Sequence, residues 1–220
     1  MKVSENIPAD KLHRKIHQLV EAGRPVVLTT YTFPHSMEVY MEQVLTIFLE
    51  IIQQKSIADH VVYFVKELME NAKKANTKRI YFNEKQLDIN KSEDYQLGMK
   101  TFKNDIFENR KYYLALQEKE GLFIKLKLWK EEGTIKIEVS NNCRLTVYEE
   151  TRMKDKLEMG RQYGSLEDAL IEAADDTEGG GLGLIILVLM IKKMGVTQER
   201  IWVEKGEGET KIGVEIPVQA

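Results

Sequence analysis

Apolar residues recur along this chain with two different periods, and the switches between those periods delimit most of its elements. Between Asp10 and Ala22, the positions Leu12, Ile16, Leu19 and Val20 share one helical face, and Gly23 is the residue type at which such a helix stops. Val26 to Phe33 is rich in Val, Thr and Tyr and runs into Pro34, which predicts a strand followed by a break, with Ser36 capping the next element. From Met37 to Gln54, Val39, Met41, Val44, Leu45, Phe48, Ile51 and Ile52 return mostly at three- and four-residue steps, the pattern of a helix packed along one side. A second long helix is expected from about Ala58 to Ala75. It carries Val61, Phe64, Val65, Leu68, Ala72 and Ala75 on one side and Lys66, Glu67, Glu70, Asn71 and Lys74 on the other.

The period changes downstream. Residues 83 to 120 are dense in charge with scattered aromatics, only loosely helical between Ser92 and Gln117, and read as an insertion that is hard to place in a compact core. Leu122 to Trp129 and Thr134 to Ser140 both alternate and are joined by Lys130 to Gly133, the clearest hairpin in the chain. Lys125, Lys127, Lys136 and Glu138 mark its wet side. Phe123 or Ile124, with Leu126, Leu128, Ile135 and Ile137, marks the face to be buried under the two long helices. Cys143 to Glu178 is polar, reads as a long mobile connection and holds one short helix from Ser165 to Ala174. Gly179-Gly-Gly-Leu-Gly183 then opens the most apolar segment, Leu184 to Met194. A second hairpin, Arg200 to Glu204 with Lys211 to Pro217, ends the pattern. A one-sided sheet under helices is an α+β architecture, a two-layer sandwich with a mixed, mostly antiparallel sheet.

Composition narrows the possibilities without choosing among them. With 220 residues, 43% of them hydrophobic, one domain is the default. A net charge of -3 supplies no global positive field for nucleic acid or an anionic membrane, so neither is expected as a partner. A lone cysteine, a start without a basic-then-apolar leader and a longest apolar run of about half a bilayer crossing lead us to expect a cytoplasmic protein.

Two constellations carry candidate chemistry. A glycine-rich loop opening a helix leaves backbone N–H groups at the positive end of the helix dipole, where phosphate oxygens can approach closely; the plain alternative is a hinge before a core helix. Neither a P-loop nor a Rossmann fingerprint fits, since no Lys follows Gly183 until Lys192 and no strand precedes Gly179. On the second long helix Glu67, Asn71 and Lys74 project about one turn apart. A carboxylate, an amide oxygen and an ammonium in a row suit a water, a magnesium ion and a phosphate, though periodicity alone favours a solvated helix face.

Together these segments resemble a known superfamily. Val65-Lys-Glu-Leu-Met-Glu-Asn-Ala-Lys-Lys-Ala75 resembles the N-box of the GHKL ATPases and kinases, Gly179-Gly-Gly-Leu-Gly-Leu184 is similar to their glycine box, and Ile135 to Asn142 is similar to the strand and turn bearing their adenine-recognising residue. The motif order is also the family's. The resemblance implies a Bergerat ATP-binding fold with ATP and Mg²⁺ as ligands. It implies Glu67 as the acid/base residue, Asn71 as the Mg²⁺ ligand, Lys74 near the phosphates, Asn141 facing the adenine amino group, and Gly179, Gly181, Leu182 and Gly183 around the phosphates. Residues 143 to 178 become an ATP lid, in which Lys154, Lys156 or Arg161 would reach phosphate. The family usually has Asp where Asn141 stands and often Gly where Cys143 stands, so weaker nucleotide affinity is expected; Cys143 itself reads as a packing residue.

The implied function is a cytoplasmic signalling kinase that passes the γ-phosphate of ATP to a protein partner, on Ser/Thr or on a His supplied in trans. In layout it is closest to the anti-sigma-factor serine kinases, because His35 lies too close to Asn71 for a phosphoacceptor helical hairpin between them. The alternative is a non-catalytic nucleotide sensor with a degenerate site that recruits a regulatory partner, and a homodimer is compatible with either. His13 and His17 share a helix face without a third metal ligand and read as surface or packing residues.

Overall fold

A computed structural model of the chain describes residues 8–165, 167–169, 182–197, 200–206 and 208–218. Its elements run α1 (Ala9–Glu21), β1 (Val26–Thr30), α2 (His35–Ile51), α3 (Ala58–Glu84), α4 (Ser92–Glu108), α5 (Arg110–Lys119), β2 (Ile124–Glu131), β3 (Thr134–Asn141), α6 (Val147–Gln162), α7 (Leu182–Lys193), β4 (Ile201–Lys205) and β5 (Thr210–Pro217). The five strands form one open sheet in the order β1-β2-β3-β5-β4. Every pairing is antiparallel, where a mixed sheet was expected. The protein is therefore α+β.

Period-two patterning fixes which face of the sheet is dry. Ile124, Leu126 and Leu128 on β2 and Ile135, Ile137 and Val139 on β3 are buried, so Ile124 rather than Phe123 begins the inward register. These side chains merge with Val61, Phe64, Val65 and Leu68 of α3 and with Leu187, Val188 and Ile191 of α7 into one core. On the outer face Lys136 bonds Glu131, and Lys211 bonds Glu204 at 3.0 Å. The β2–β3 turn uses left-handed backbone at Glu132 and Gly133, as a two-residue hairpin loop requires. Gly23, at φ +62°, ends α1 while the Arg24 amide donates to the Leu19 carbonyl, closing the helix in the expected way.

Four further expectations are corrected. The second long helix does not stop near Ala75 but continues to Glu84, because Ile80, Tyr81 and Phe82 have somewhere to go. They form a second cluster with Tyr113, against which Tyr95, Met99, Phe102 and Ile106 pack. Residues 83–120 thus fold onto α3 as a helical arm, α4 plus α5. Gly98 permits the approach: a Cβ there would stand 2.6 Å from the Phe82 ring. The third correction concerns the mobile connection, whose first part is the ordered helix α6. A capping box between Thr146 and Glu149 starts it. Gly160 lets it lie against α7, since a Cβ there would come within 2.8 Å of Val188 Cβ. The helix expected from Ser165 to Ala174 lies largely outside the described residues. Ser36 is not a cap: α2 begins after Pro34 with no side-chain cap bond, Pro34 preceding the first turn, where its missing N–H is no loss.

Candidate functional site

A cavity of about 560 Å³ opens between α3, the arm, α6 and the inner end of the sheet. Its floor is Val139 and Asn141 of β3, Thr210 and Ile212 of β5, and Leu184 in the first turn of α7. The α3 wall contributes Leu68, Asn71, Ala72, Lys74 and Ala75. Asn71, Lys74 and Asn141, singled out from sequence on separate segments, therefore share one hollow.

Glu67 does not line that hollow. It lies one turn before Asn71, and a Cβ placed on Gly183 would overlap its carboxylate. The carboxylate thus rests on the backbone at the start of α7, at the positive end of the helix dipole. The absent side chain at Gly183 is what permits that approach. Leu182 and Gly183 belong to the same first turn, whereas Gly179 and Gly181 lie outside the described residues.

Hydrogen bonds fix the direction in which Asn141 presents its amide. Asn76, fully buried, donates from Nδ2 to the Phe123 carbonyl at 3.2 Å, so its Oδ1 must accept. It accepts from Asn141 Nδ2 at 2.9 Å and from the Cys143 thiol at 3.1 Å. With Nδ2 committed, Oδ1 is what Asn141 offers the cavity. Position 141 donates to Asn76, which an amide does and an ionised carboxylate cannot. Asn76 thereby gives the Asn at position 141 a physical reason, and the sequence reading had missed it. Cys143 is buried, and burial pushes its thiol pKa up, so it is a packing residue and weak donor, not a thiolate. Thr210, paired with Asn141 across the β3–β5 ladder, donates from Oγ1 to the Cys143 carbonyl at 2.7 Å and closes the floor.

The cavity is basic in a chain of net charge -3. Seven cationic side chains line it, Lys73, Lys74, Lys78, Lys103, Arg110, Arg152 and Lys156, against two carboxylates, Glu70 and Glu149. Both carboxylates are spoken for: Lys73 binds the two oxygens of Glu70 at 2.8 and 2.7 Å, and Arg79 reaches Glu149 at 2.8 Å. A second Arg79 nitrogen contacts Glu149 at 2.5 Å, completing the bidentate pair. Burial pushes Glu149 up, but Arg79 outweighs it and the carboxyl ends below its ordinary range. Burial also dominates at Lys78, pushing its ammonium down to about 8.

The cations of α6 expected to reach phosphate separate. Lys156 lines the cavity, Lys154 pairs with Glu150 at 2.7 Å and Arg161 with Glu158 at 3.2 Å. α6 itself is held at both ends. Arg79 and Lys205 grip Glu149 and Glu150 at its start, and Lys192 Nζ donates to the carbonyls of Arg161 and Tyr163 at its close. Away from this region, His13 and His17 stack at 6.3 Å, and no group of three His, Cys, Asp or Glu that could hold a metal occurs among the described residues. No helix among them is long and apolar enough to cross a membrane.

Fold and cavity together define an α+β protein with a basic, amide-floored pocket at one end of a five-stranded antiparallel sheet. A protein of Treponema pallidum (strain Nichols), named only as an uncharacterized protein, is 45% identical over 185 residues. Those residues are 84% of this chain and 36% of that protein, so the chain spans about a third of the relative's length. No family model matches the chain. No solved structure matches it.

Proposed function

We propose that this chain is a Bergerat-type ATP·Mg²⁺-binding domain of the GHKL class that transfers the γ-phosphate to a protein partner. The single observation that carries the reading is the convergence of Asn71, Lys74 and Asn141 on one basic cavity beside the Glu67–Gly183 contact. Excess positive charge suits a triphosphate, and the orientation-fixed Oδ1 of Asn141 suits the exocyclic amine of adenine. Asn71 would supply an amide oxygen to Mg²⁺, a hard cation that takes oxygen ligands and, when bound, neutralises charge on the phosphates. Lys74, exposed at the cavity wall, would add a point charge. Glu67, whose carboxylate rests at Gly183 one turn from Asn71 and outside the hollow, would be the group that takes a proton from an attacking hydroxyl or imidazole.

Isothermal titration calorimetry with ATP, and phosphotransfer from labelled ATP to candidate partner proteins, test the reading. Mg²⁺-dependent binding and labelling that disappears in Glu67→Ala are expected. A second reading, a non-catalytic nucleotide sensor, draws on the doubly anchored lid helix, which would transmit occupancy to a partner rather than open for chemistry. Binding with no transfer, unchanged by Glu67→Ala, would select it.

A further inference from the structure

The arm carries cations that no carboxylate neutralises. Elsewhere on the surface lysines find partners: Lys125 pairs with Glu209, Lys136 with Glu131, Lys154 with Glu150 and Lys211 with Glu204. Lys100 and Lys103 of α4 and Arg110 at the start of α5 form no ion pair among the described residues. All three are exposed. Lys103 and Arg110 also line the cavity, so they mark its rim.

Among these charges stands Phe107, 85% exposed and part of the same rim. Helix spacing gathers the group. Gln96, Lys100, Lys103 and Phe107 recur at four- and three-residue steps and form one exposed ridge along α4, and Arg110 follows in the first turn of α5. Acidic residues do not balance it: Asp105 is taken by Lys85 at 2.9 Å, Glu108 turns to the neighbouring face, and Glu93 lies two turns from Lys100. Like charges three residues apart repel on a helix, and a solvated phenylalanine forgoes its burial, so the free chain gains nothing from this arrangement. A single exposed apolar side chain is ordinary. One set among unpaired cations at the edge of a cavity is an anchor for a partner, ringed by charge that selects the partner's sign.

We infer that this ridge is the docking surface for an acidic segment of the protein that receives the phosphate. An apolar side chain of that segment sits on Phe107, and its carboxylates meet Lys100, Lys103 and Arg110. The inference rests on the kinase reading for the partner's role and adds the partner's chemistry. Docking there holds the acceptor at the rim of the cavity that Asn71 and Lys74 line.

Fluorescence anisotropy on the full chain tests it, with a labelled Asp/Glu-rich peptide bearing one central Leu as the probe. The peptide is expected to bind, and more weakly as salt rises. Phe107→Ala, which removes an exposed side chain and leaves the core intact, should weaken it about tenfold with ATP affinity by calorimetry unchanged. Replacing the peptide's Leu by Gly should have a similar effect, and Lys103→Glu together with Arg110→Glu should abolish binding. Peptide binding that survives these substitutions overturns the surface, as does tighter binding of a single-stranded RNA oligonucleotide, which would make the ridge a nucleic-acid contact. An equal loss of ATP and peptide affinity in Phe107→Ala overturns it too, by returning the ridge to the nucleotide pocket. If ATP binds and the peptide does not, the surface falls and the nucleotide reading stands. If the peptide binds at the ridge and ATP does not bind, the docking surface survives and its phosphoacceptor role falls with the kinase reading.

Discussion

The two halves of α3 behave as different objects. From Ala58 to Asn76 the helix presents Val61, Phe64, Val65, Leu68 and Ala72 to the sheet, in the main core. From Thr77 to Glu84 it buries Ile80, Tyr81 and Phe82, three consecutive residues pointing in three directions, against the arm. One half is an amphipathic helix on a sheet; the other is a hub surrounded by helices. The boundary between them is chemical, because Asn76 faces the Asn141 network and its neighbour Thr77 faces Gln117. Consecutive residues of a single helix therefore hold one buried amide from the sheet and one from the arm.

That division is open to direct attack. The largest effect is expected from Glu149→Ala, which leaves Arg79 buried without its bidentate partner and also removes the capping box of α6. A loss of about 3–5 kcal/mol in urea unfolding is expected. Phe82→Ala and Leu68→Ala sharpen the contrast between the halves. Each should cost about 2–5 kcal/mol, but the places should differ. Phe82→Ala is expected to speed amide hydrogen exchange across residues 92–119 with β2 and β3 still protected, and Leu68→Ala to speed exchange throughout. Uniform exchange in both variants would show that the halves form one cooperative unit.

A smaller effect belongs to the boundary. Asn141→Asp, the residue usual in the superfamily it resembles, turns a donor into an acceptor opposite Asn76 Oδ1. It is expected to cost about 1–3 kcal/mol of stability, and Asn76→Asp in the same chain should not repair it, since that pairs two carboxylates. The smallest effect is a slope. Because burial holds Lys78 down to about 8, the folded state takes up the Lys78 proton less readily than the unfolded chain, and carrying the charge costs stability below pH 8. Stability therefore recovers as pH rises from about 8 toward the ordinary lysine value. Lys78→Met should be more stable than wild type at pH 7, with an advantage that shrinks by pH 10 in paired urea midpoints.

Sequence periodicity predicted the part of this structure that rests on a single repeated face. β2, β3, α1 and α2 came within a few residues of their observed bounds because one side of each is wet. The helical character of the arm between Ser92 and Gln117 was legible, but its docking was not, because its aromatic residues pack around a helix from several sides and leave no two-sided pattern, and the extension of α3 depends on that packing. α6 escaped for the opposite reason: it buries only Met153 and Gly160 along its length, so its hydrophobic signal is faint. The Thr146-x-x-Glu149 capping box was nevertheless present in the sequence and marked its start. Of the candidate site, spacing along one helix gave Glu67, Asn71 and Lys74, while Asn76, Thr210 and Gln117 depend on partners 40 to 67 residues away. No local pattern encodes those.

The proposed function requires that Asn71 and the basic cavity hold a nucleotide through a divalent cation. Its most direct test is ATP titration of wild type and Asn71→Ala, each with Mg²⁺ and with EDTA. Wild-type binding is expected to weaken at least tenfold in EDTA, and the weak binding of Asn71→Ala is expected not to respond to Mg²⁺. Wild-type affinity that ignores Mg²⁺, or an Asn71→Ala variant that retains the full response, would contradict it.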